Sequence, residues 1–416
     1  MNTKKLLTIS AVLAAVAVQA KVKLAAPFTD GMVLQREMPV RVWGTADAGE
    51  KVSVSFAGAR ANAVADKDGK WLVELPPMPA SKTSRTLAAN DATISDVLVG
   101  EVWMCAGQSN TDCPIWGSSP RYRDGWGMMT LLSTDKPTVR IVKTPLVMAT
   151  EPKLDVEVKW RKMTPELAEE FKKGTRMPSA MGYYYALELA NALDIPVGLV
   201  DSSWGGTNID AWTPRSGYEG LSGLDEERDW TVIDQKDWKA EMKKGPITGA
   251  IQQPSALWYG MVAAYVPMAV RGFIWYQGCH NAGSNEYPRY ANKMHALYNG
   301  WAKEFRNPDL SLYFVQLAPW GKECIPNIQE AQAKFAAEEK NAAMAVINDV
   351  GNLKDIHPND KRTVAKRLSL HALKRNYGWK QVRDESPTLK SWKIEGDKFV
   401  LSFNDAEGWY IYNPDR

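Results

Sequence analysis

Between residues 22 and 98 apolar and polar positions alternate in short runs. Val40 and Val42, then Val52, Val54 and Phe56, fall on every second position, and Gly, Asp and Pro separate the runs. Period-two alternation broken by turn residues predicts half-buried strands, so this stretch reads as a small β-sandwich-like module. From Ser95 to Met104 the run turns almost continuously apolar, and beyond it single apolar runs alternate with segments of helical period. Residues 180–193 predict a helix that leads through Asp194, Ile195 and Pro196 into a buried strand at 197–200. The unit recurs as helix 260–266, strand 270–276, helix 290–305, strand 312–317, helix 329–340 and strand 343–347. Such alternation predicts an α/β fold, a parallel sheet flanked by helices, with any site at the carboxyl ends of its strands.

Three stretches break that pattern. Residues 210–253 show no clear period and are rich in Gly, Asp, Glu, Trp and Lys, as a long insertion would be. Past Pro387, alternation over 399–403 predicts a further β-element, which stops at Arg416 short of a complete module. At the other end Lys4 and Lys5 precede an apolar run over 6–18 and a small-residue site at Val18, Gln19 and Ala20, the pattern of a secretory signal peptide. That run is too short for a membrane span, and no later segment is long and apolar enough for one. The expected organisation is a signal peptide at 1–20, an N-terminal β-sandwich-like module at 21–98, an α/β domain at 99–380 and a partial C-terminal β-element at 381–416. The expected location is secreted or periplasmic, after cleavage near Ala20.

Composition narrows the function. With 45% hydrophobic and 24% charged residues, the 416-residue chain is neither disordered nor a membrane protein by class. A formal net charge of +3 is too mild for a nucleic-acid partner. The Lys and Arg of 361–375 are interleaved with Val364, Leu368 and Ala372 at helical spacing, which makes them one solvated helix face. Seventeen Trp and fifteen Tyr are many for this length; aromatic faces stack on sugar rings, although most pack into cores. Cys105, Cys113, Cys279 and Cys324 can pair in three ways in an oxidising compartment or stay as core thiols. No His-x-x-x-His or Cys-x-x-Cys pattern supplies a metal site, and no cofactor is expected.

Candidate chemistry lies in four loops placed after predicted strands. Gly107, Gln108, Ser109 and Asn110 follow the first apolar run, and a Gly turn at a strand end can expose a nucleophilic Ser and aim backbone N–H groups at an oxyanion, although ordinary loops share this composition. A Ser nucleophile needs a base, and the chain has four His. His295 and His371 fall in helical patterns, whereas His280 and His357 fall in loops. Pro358 holds His357 in extended backbone, and Asn359 or Asp360 can cap the helix that follows. Asp355 is placed to hold the imidazole tautomer, with Asp349 as the alternative. The loop of Gln277, Gly278, Cys279, His280 and Asn281 offers an amide N–H at Asn281. The turn of Ser203, Trp204, Gly205 and Gly206 offers backbone N–H groups.

Taken in order, the blocks Met32 to Arg36, Gly100 to Trp103, Gly107 to Asn110, Ser202 to Thr207, Arg271 to Gly278 and Asp355 to Pro358 resemble those of the sialate O-acetylesterase group within the SGNH hydrolase superfamily. The resemblance runs from about residue 22 to 373. It implies a flavodoxin-like SGNH fold and a serine carbohydrate esterase with an acetylated carbohydrate as substrate. It also implies Ser109 as nucleophile, His357 as base, and an oxyanion hole of the Ser109 N–H, a Gly of Gly205-Gly206 and the Asn281 side chain, with Gln108, Trp204 and Gln277 toward the substrate. Cys279 and His280 stand where many relatives carry Glu and Ser, which makes His280 a rival base, and Lys354 stands where the wider superfamily often places its acid. A Ser-His dyad is therefore the alternative to a triad with Asp355. Sialic acid is the first expectation for the sugar and a xylan-type plant polysaccharide the second, with specificity carried by the 210–253 insertion and by Trp212, Trp230 and Trp238. Two further alternatives are a non-catalytic carbohydrate-binding homologue and a thiol hydrolase using Cys279.

Overall fold

The computed structural model describes residues 22–116, 126–173, 176–225, 249–284 and 286–406. The expected signal peptide, most of the 210–253 insertion, Trp230 and Trp238 lie outside the described residues. The N-terminal strands are Lys23–Leu24 (β1), Val33–Gln35 (β2), Val40–Thr45 (β3), Lys51–Phe56 (β4), Ala59–Val64 (β5), Lys70–Leu75 (β6), Ser81–Ala89 (β7) and Ala92–Gly107 (β8). β1, β3 and β6 form one antiparallel sheet, while β4 joins β5 to β7 and β7 joins the first half of β8.

The 16-residue β8 belongs to both halves of the molecule. Ala92 to Val99 pairs with β7 and alternates between exposed and buried positions, whereas the second half is buried without a break. Strands buried on both faces read as continuous apolar runs, which is the change of texture seen after Ser95. Glu101 marks the junction. Its buried carboxylate accepts from Arg36 Nε at 2.6 Å, Arg271 Nε at 2.9 Å and Gln35 Nε2 at 3.1 Å. Burial pushes this carboxyl up, but the hydrogen bonds and charge of Arg271, with Arg36 and Gln35, outweigh it and hold it below its ordinary value.

The larger sheet adds Lys136–Lys143 (β9), Arg161–Met163 (β10), Val197–Ser203 (β11), Gly272–Tyr276 (β12), Ser311–Val315 (β13) and Ala342–Ala345 (β14). Its order is β10-β9-β11-β8-β12-β13-β14, parallel throughout except for β10 against β9. Its helices are Ser109–Asp112 (α1), Gly127–Ser133 (α2), Glu166–Lys172 (α3), Ala180–Leu193 (α4), Cys279–Gly283 (α5), Tyr287–Glu304 (α6), Ile325–Glu338 (α7) and Lys361–Arg375 (α8). Local chemistry sets the ends of α4. Ser179 caps it by accepting from Gly182 N at 3.0 Å, and Asp194 closes it in the left-handed region at φ 52.

One expectation changes, and one open alternative is decided. The helix expected at 260–266 is a π turn over Trp258–Val262 and a 3-10 turn over Ala263–Tyr265, packed so tightly that a Cβ on Gly260 would lie 2.0 Å from Val147 O. The four cysteines are all free thiols. At the carboxyl end Thr388–Glu395 (β15) and Lys398–Asn404 (β16) pair with each other as a separate two-stranded sheet. Trp392, Ile394, Phe399 and Leu401 are exposed on its one apolar face.

Candidate active site

The crevice opens at the carboxyl end of β8, where the sheet order reverses. β11 lies on one side of β8 and β12 on the other, and the loops after all three strands meet there. Gly107 makes the turn possible. It sits at φ +139, and a Cβ on it would lie 2.4 Å from Tyr276 O, so only glycine lets β8 end this close to β12. Gln108 N and Thr111 Oγ1 both donate to Tyr276 O, at 3.1 and 2.9 Å, and α1 starts at Ser109.

His357 arrives from the loop after β14. Its Nε2 lies 2.9 Å from Ser109 Oγ, a hydrogen-bond distance. Its backbone N–H donates to Asp355 Oδ1 at 2.9 Å, while Nδ1 lies 3.7 Å from the same oxygen, close enough for charge interaction and too long for a hydrogen bond. Asp349 is elsewhere: both its oxygens accept from Arg367 at 2.6 Å, because α8 presents that guanidinium to the end of β14. Of the two acids the sequence left open, only Asp355 lies at the imidazole. His280, the rival base, lines the same cleft but makes no hydrogen bond to Ser109 among the described residues. Burial holds its pKa below the ordinary imidazole value, opposed in part by the Glu286 and Asp210 carboxylates.

The cleft encloses about 850 Å³, within the usual range for a small-molecule site. Gln108, Ser109, Trp204, Gly205, Gly206, His280, Trp320 and His357 are among its lining residues. Gly205 packs on the Ser109 turn, its Cβ position only 3.4 Å from Ser109 Cβ, and Gly206 has a positive φ of +78. Two expected site residues face the interior instead. Asn281 is fully buried, donates its Nδ2 to Glu286 Oε2 at 2.8 Å and accepts from Gln277 Nε2 at 2.7 Å and Ile209 N at 3.1 Å. Its oxygen and one of its two amide hydrogens hold the β12 loop against residues 209 and 286, and it is not among the described residues that line the cleft. Gln277 is likewise buried, bonded to Thr207 O and by Tyr290 OH. Trp212 is a core residue whose Nε1 donates to Thr207 Oγ1 at 3.0 Å, so it is no surface for a sugar. Trp320, which follows β13, is the cleft aromatic that sequence reasoning missed. Its position after a strand was the available signal.

Beneath α1 lies a charge network that no motif announced. Lys143 Nζ donates to Asp112 Oδ1 at 2.9 Å, Asp201 Oδ2 at 3.0 Å and Ser203 Oγ at 2.9 Å, and Arg176 adds bonds to Asp112 and to Ser203 O. Burial pushes the Asp112 carboxyl up, but Lys143 and Arg176 outweigh it and keep it ionised at the edge of the cleft. The network ties the helix carrying Ser109 to β9 and β11. Among the described residues no group of three or more His, Cys, Asp and Glu is arranged to hold a metal ion, and no helix is long and apolar enough to cross a membrane.

Residues 99–371 match the sequence model of the family described as carbohydrate esterase, sialic acid-specific acetylesterase. The chain is 30% identical over 421 residues to the rat sialate O-acetylesterase, covering 88% of this chain and 75% of that protein. It is 27% identical to the human sialate O-acetylesterase over 433 residues, covering 95% and 78%. Among solved structures, a carbohydrate acetylesterase from Xanthomonas citri superposes with a TM-score of 0.76 at 29% identity, covering 92% of this chain and 82% of that one.

Proposed function

From the premise that the chain belongs to the sialic acid-specific acetylesterase family of carbohydrate esterases and hydrolyses O-acetyl esters on carbohydrates, we propose that Ser109 is the nucleophile and His357 the general base. The observation that carries this reading is the 2.9 Å contact between Ser109 Oγ and His357 Nε2 at the floor of the cleft. His357 takes the hydroxyl proton as Oγ attacks the acetyl carbonyl. The backbone N–H groups of Ser109 and the Gly205-Gly206 turn receive the oxyanion. His357 then protonates the departing sugar oxygen, which leaves an acetyl-Ser109. Water, deprotonated by His357, attacks that ester; acetate leaves and Oγ regains its proton. Asp355 supports the imidazolium by charge from 3.7 Å. Gln108 and Trp204 contact the substrate from the cleft wall.

The SGNH assignment of the fold draws support from the order β11-β8-β12-β13-β14, which with β9 and β10 set aside as edge additions is the flavodoxin-like 2-1-3-4-5. Strands 22–98 are read as a β-sandwich-like module, 99–380 as the catalytic domain, 381–416 as a partial β-element and 1–20 as a signal peptide that sends the protein to the periplasm or medium.

Sialic acid is the first reading for the sugar, on the names of the relatives. A xylan-type plant polysaccharide is the second reading. Acetate release should be compared on 9-O-acetylated sialic acid and on acetylated xylo-oligosaccharides. The substrate with the higher kcat/KM decides the sugar. Ser109→Ala should abolish release from both, and wild-type turnover in that variant would refute the mechanism.

A further inference from the structure

Asn110 and Lys361 take no part in the steps above, yet both are fully buried between the two loops that supply Ser109 and His357, so Lys361 departs from the solvated face expected for the basic residues of its helix. Asn110 Nδ2 donates to Ile356 O at 2.9 Å, and its Oδ1 accepts from Lys361 Nζ at 2.6 Å. Lys361 Nζ also lies 5.4 Å from the centroid of the Tyr276 ring. An ammonium is costly to bury, and as the first residue of α8 it opposes the helix macrodipole. Neither the helix dipole nor apolar packing selects it there.

Its chemistry explains the placement. Lys has donors only, so it binds the carbonyl end of the Asn110 amide and turns the NH₂ end toward Ile356. Ile356 O and His357 N belong to one peptide group. The carbonyl of that group is held by Asn110 and its N–H by Asp355 Oδ1, 2.9 Å away in each case. The peptide that precedes the catalytic imidazole is thus fixed at both ends, and one of its holders is the neighbour of Ser109 in the chain. Across 248 residues of sequence the base is referenced to the nucleophile through this single amide.

We propose that Asn110 is a positioning residue that holds the His357 loop on the Ser109 turn, and that the buried Lys361 sets the orientation of its amide. The proposal rests on the Ser109 and His357 reading. Asn110→Asp tests it, because the carboxylate keeps the size and the bond to Lys361 but presents an acceptor to Ile356 O. With 4-nitrophenyl acetate, kcat per folded molecule should fall about 100-fold, the scale of an ångström's misplacement, with KM within about two-fold of wild type. Lys361→Met should show the same split, and the double variant should be no worse than the poorer single one, since both act through one amide. Circular dichroism supplies the folded fraction, and Lys361→Met carries the test if Asn110→Asp does not fold. A purely structural role would lower Tm and leave kcat per folded molecule near wild type. That result, or a loss confined to KM, overturns the proposal. Ser109→Ala assayed alongside keeps the two claims apart: if it is inactive while Asn110→Asp turns over normally, only the clamp is refuted, whereas activity in Ser109→Ala refutes the catalytic reading itself.

Discussion

His357 and His280 share one cleft, and only His357 touches Ser109 Oγ. His357→Ala should therefore lower kcat/KM by about 10³-fold, the usual weight of a general base, and His280→Ala by only a few-fold. A comparison of the two purified variants on one chromogenic acetate checks the assignment. Cys279 lines the same cleft, but burial pushes its thiol up to about 12, so it stays protonated at neutral pH and is a poor nucleophile. Cys279→Ser should keep activity within about three-fold, since it exchanges sulfur for oxygen in a group that takes no part in the acyl transfer. Loss of turnover matching that of Ser109→Ala would revive the thiol reading. At this scale the sequence was a good guide to which loops meet and a poor one to where their side chains point. Asn281 and Gln277 sit in the expected loop, yet their amides are spent on Glu286, Thr207 and Ile209. Spacing along a chain does not specify a rotamer.

Among the elements, β8 carries the most consequence, because the strand that ends at the Ser109 turn begins paired with β7 among the N-terminal strands. Glu101, halfway along it, gathers Arg36, Arg271 and Gln35 in a buried ion network. Removing one partner of such a network costs about 3–5 kcal/mol, so Glu101→Gln should lower Tm markedly at neutral pH. The carboxyl is held below its ordinary value in the folded protein, so its contribution is complete above the unfolded value of about 4.3 and is lost as pH falls through the folded one. The Tm gap between wild type and Glu101→Gln, followed by calorimetry, should accordingly narrow below about pH 4. A gap that widens on acidification would show the carboxyl is not held ionised. The apolar half of β8 and the polar alternation of its first half were visible as a change of pattern at Ser95. Its role as a shared strand was not, since partners on both sides come from residues as far apart as Val33 and Tyr276.

Over the whole molecule, the hairpin of β15 and β16 stands apart from the rest, its strands paired only with each other. Asp384 just before it is tied to His371, Lys374 and Arg375 of α8. Deleting residues 387–416 should therefore leave kcat unchanged and Tm within about 2 °C, because exposed side chains away from a core contribute little. A large fall in either would mean that this end packs on the larger sheet and its helices. Deleting 22–98 should instead give insoluble protein, since it strips the partners of β8 and exposes its edge.

Period and turn chemistry alone determined the alternation of helices and buried strands, the helix Ala180–Leu193 to its ends, and the loops that hold Ser109 and His357. These are local properties, written in residues a few positions apart. The tertiary structure alone decided that Asp355 and not Asp349 lies at the imidazole, that Asn281 faces inward, and that Asp112, Lys143, Arg176 and Asp201 form one network under α1. Each of these depends on groups brought together from distant strands, where burial and competition among hydrogen-bond partners, rather than sequence spacing, select the contact.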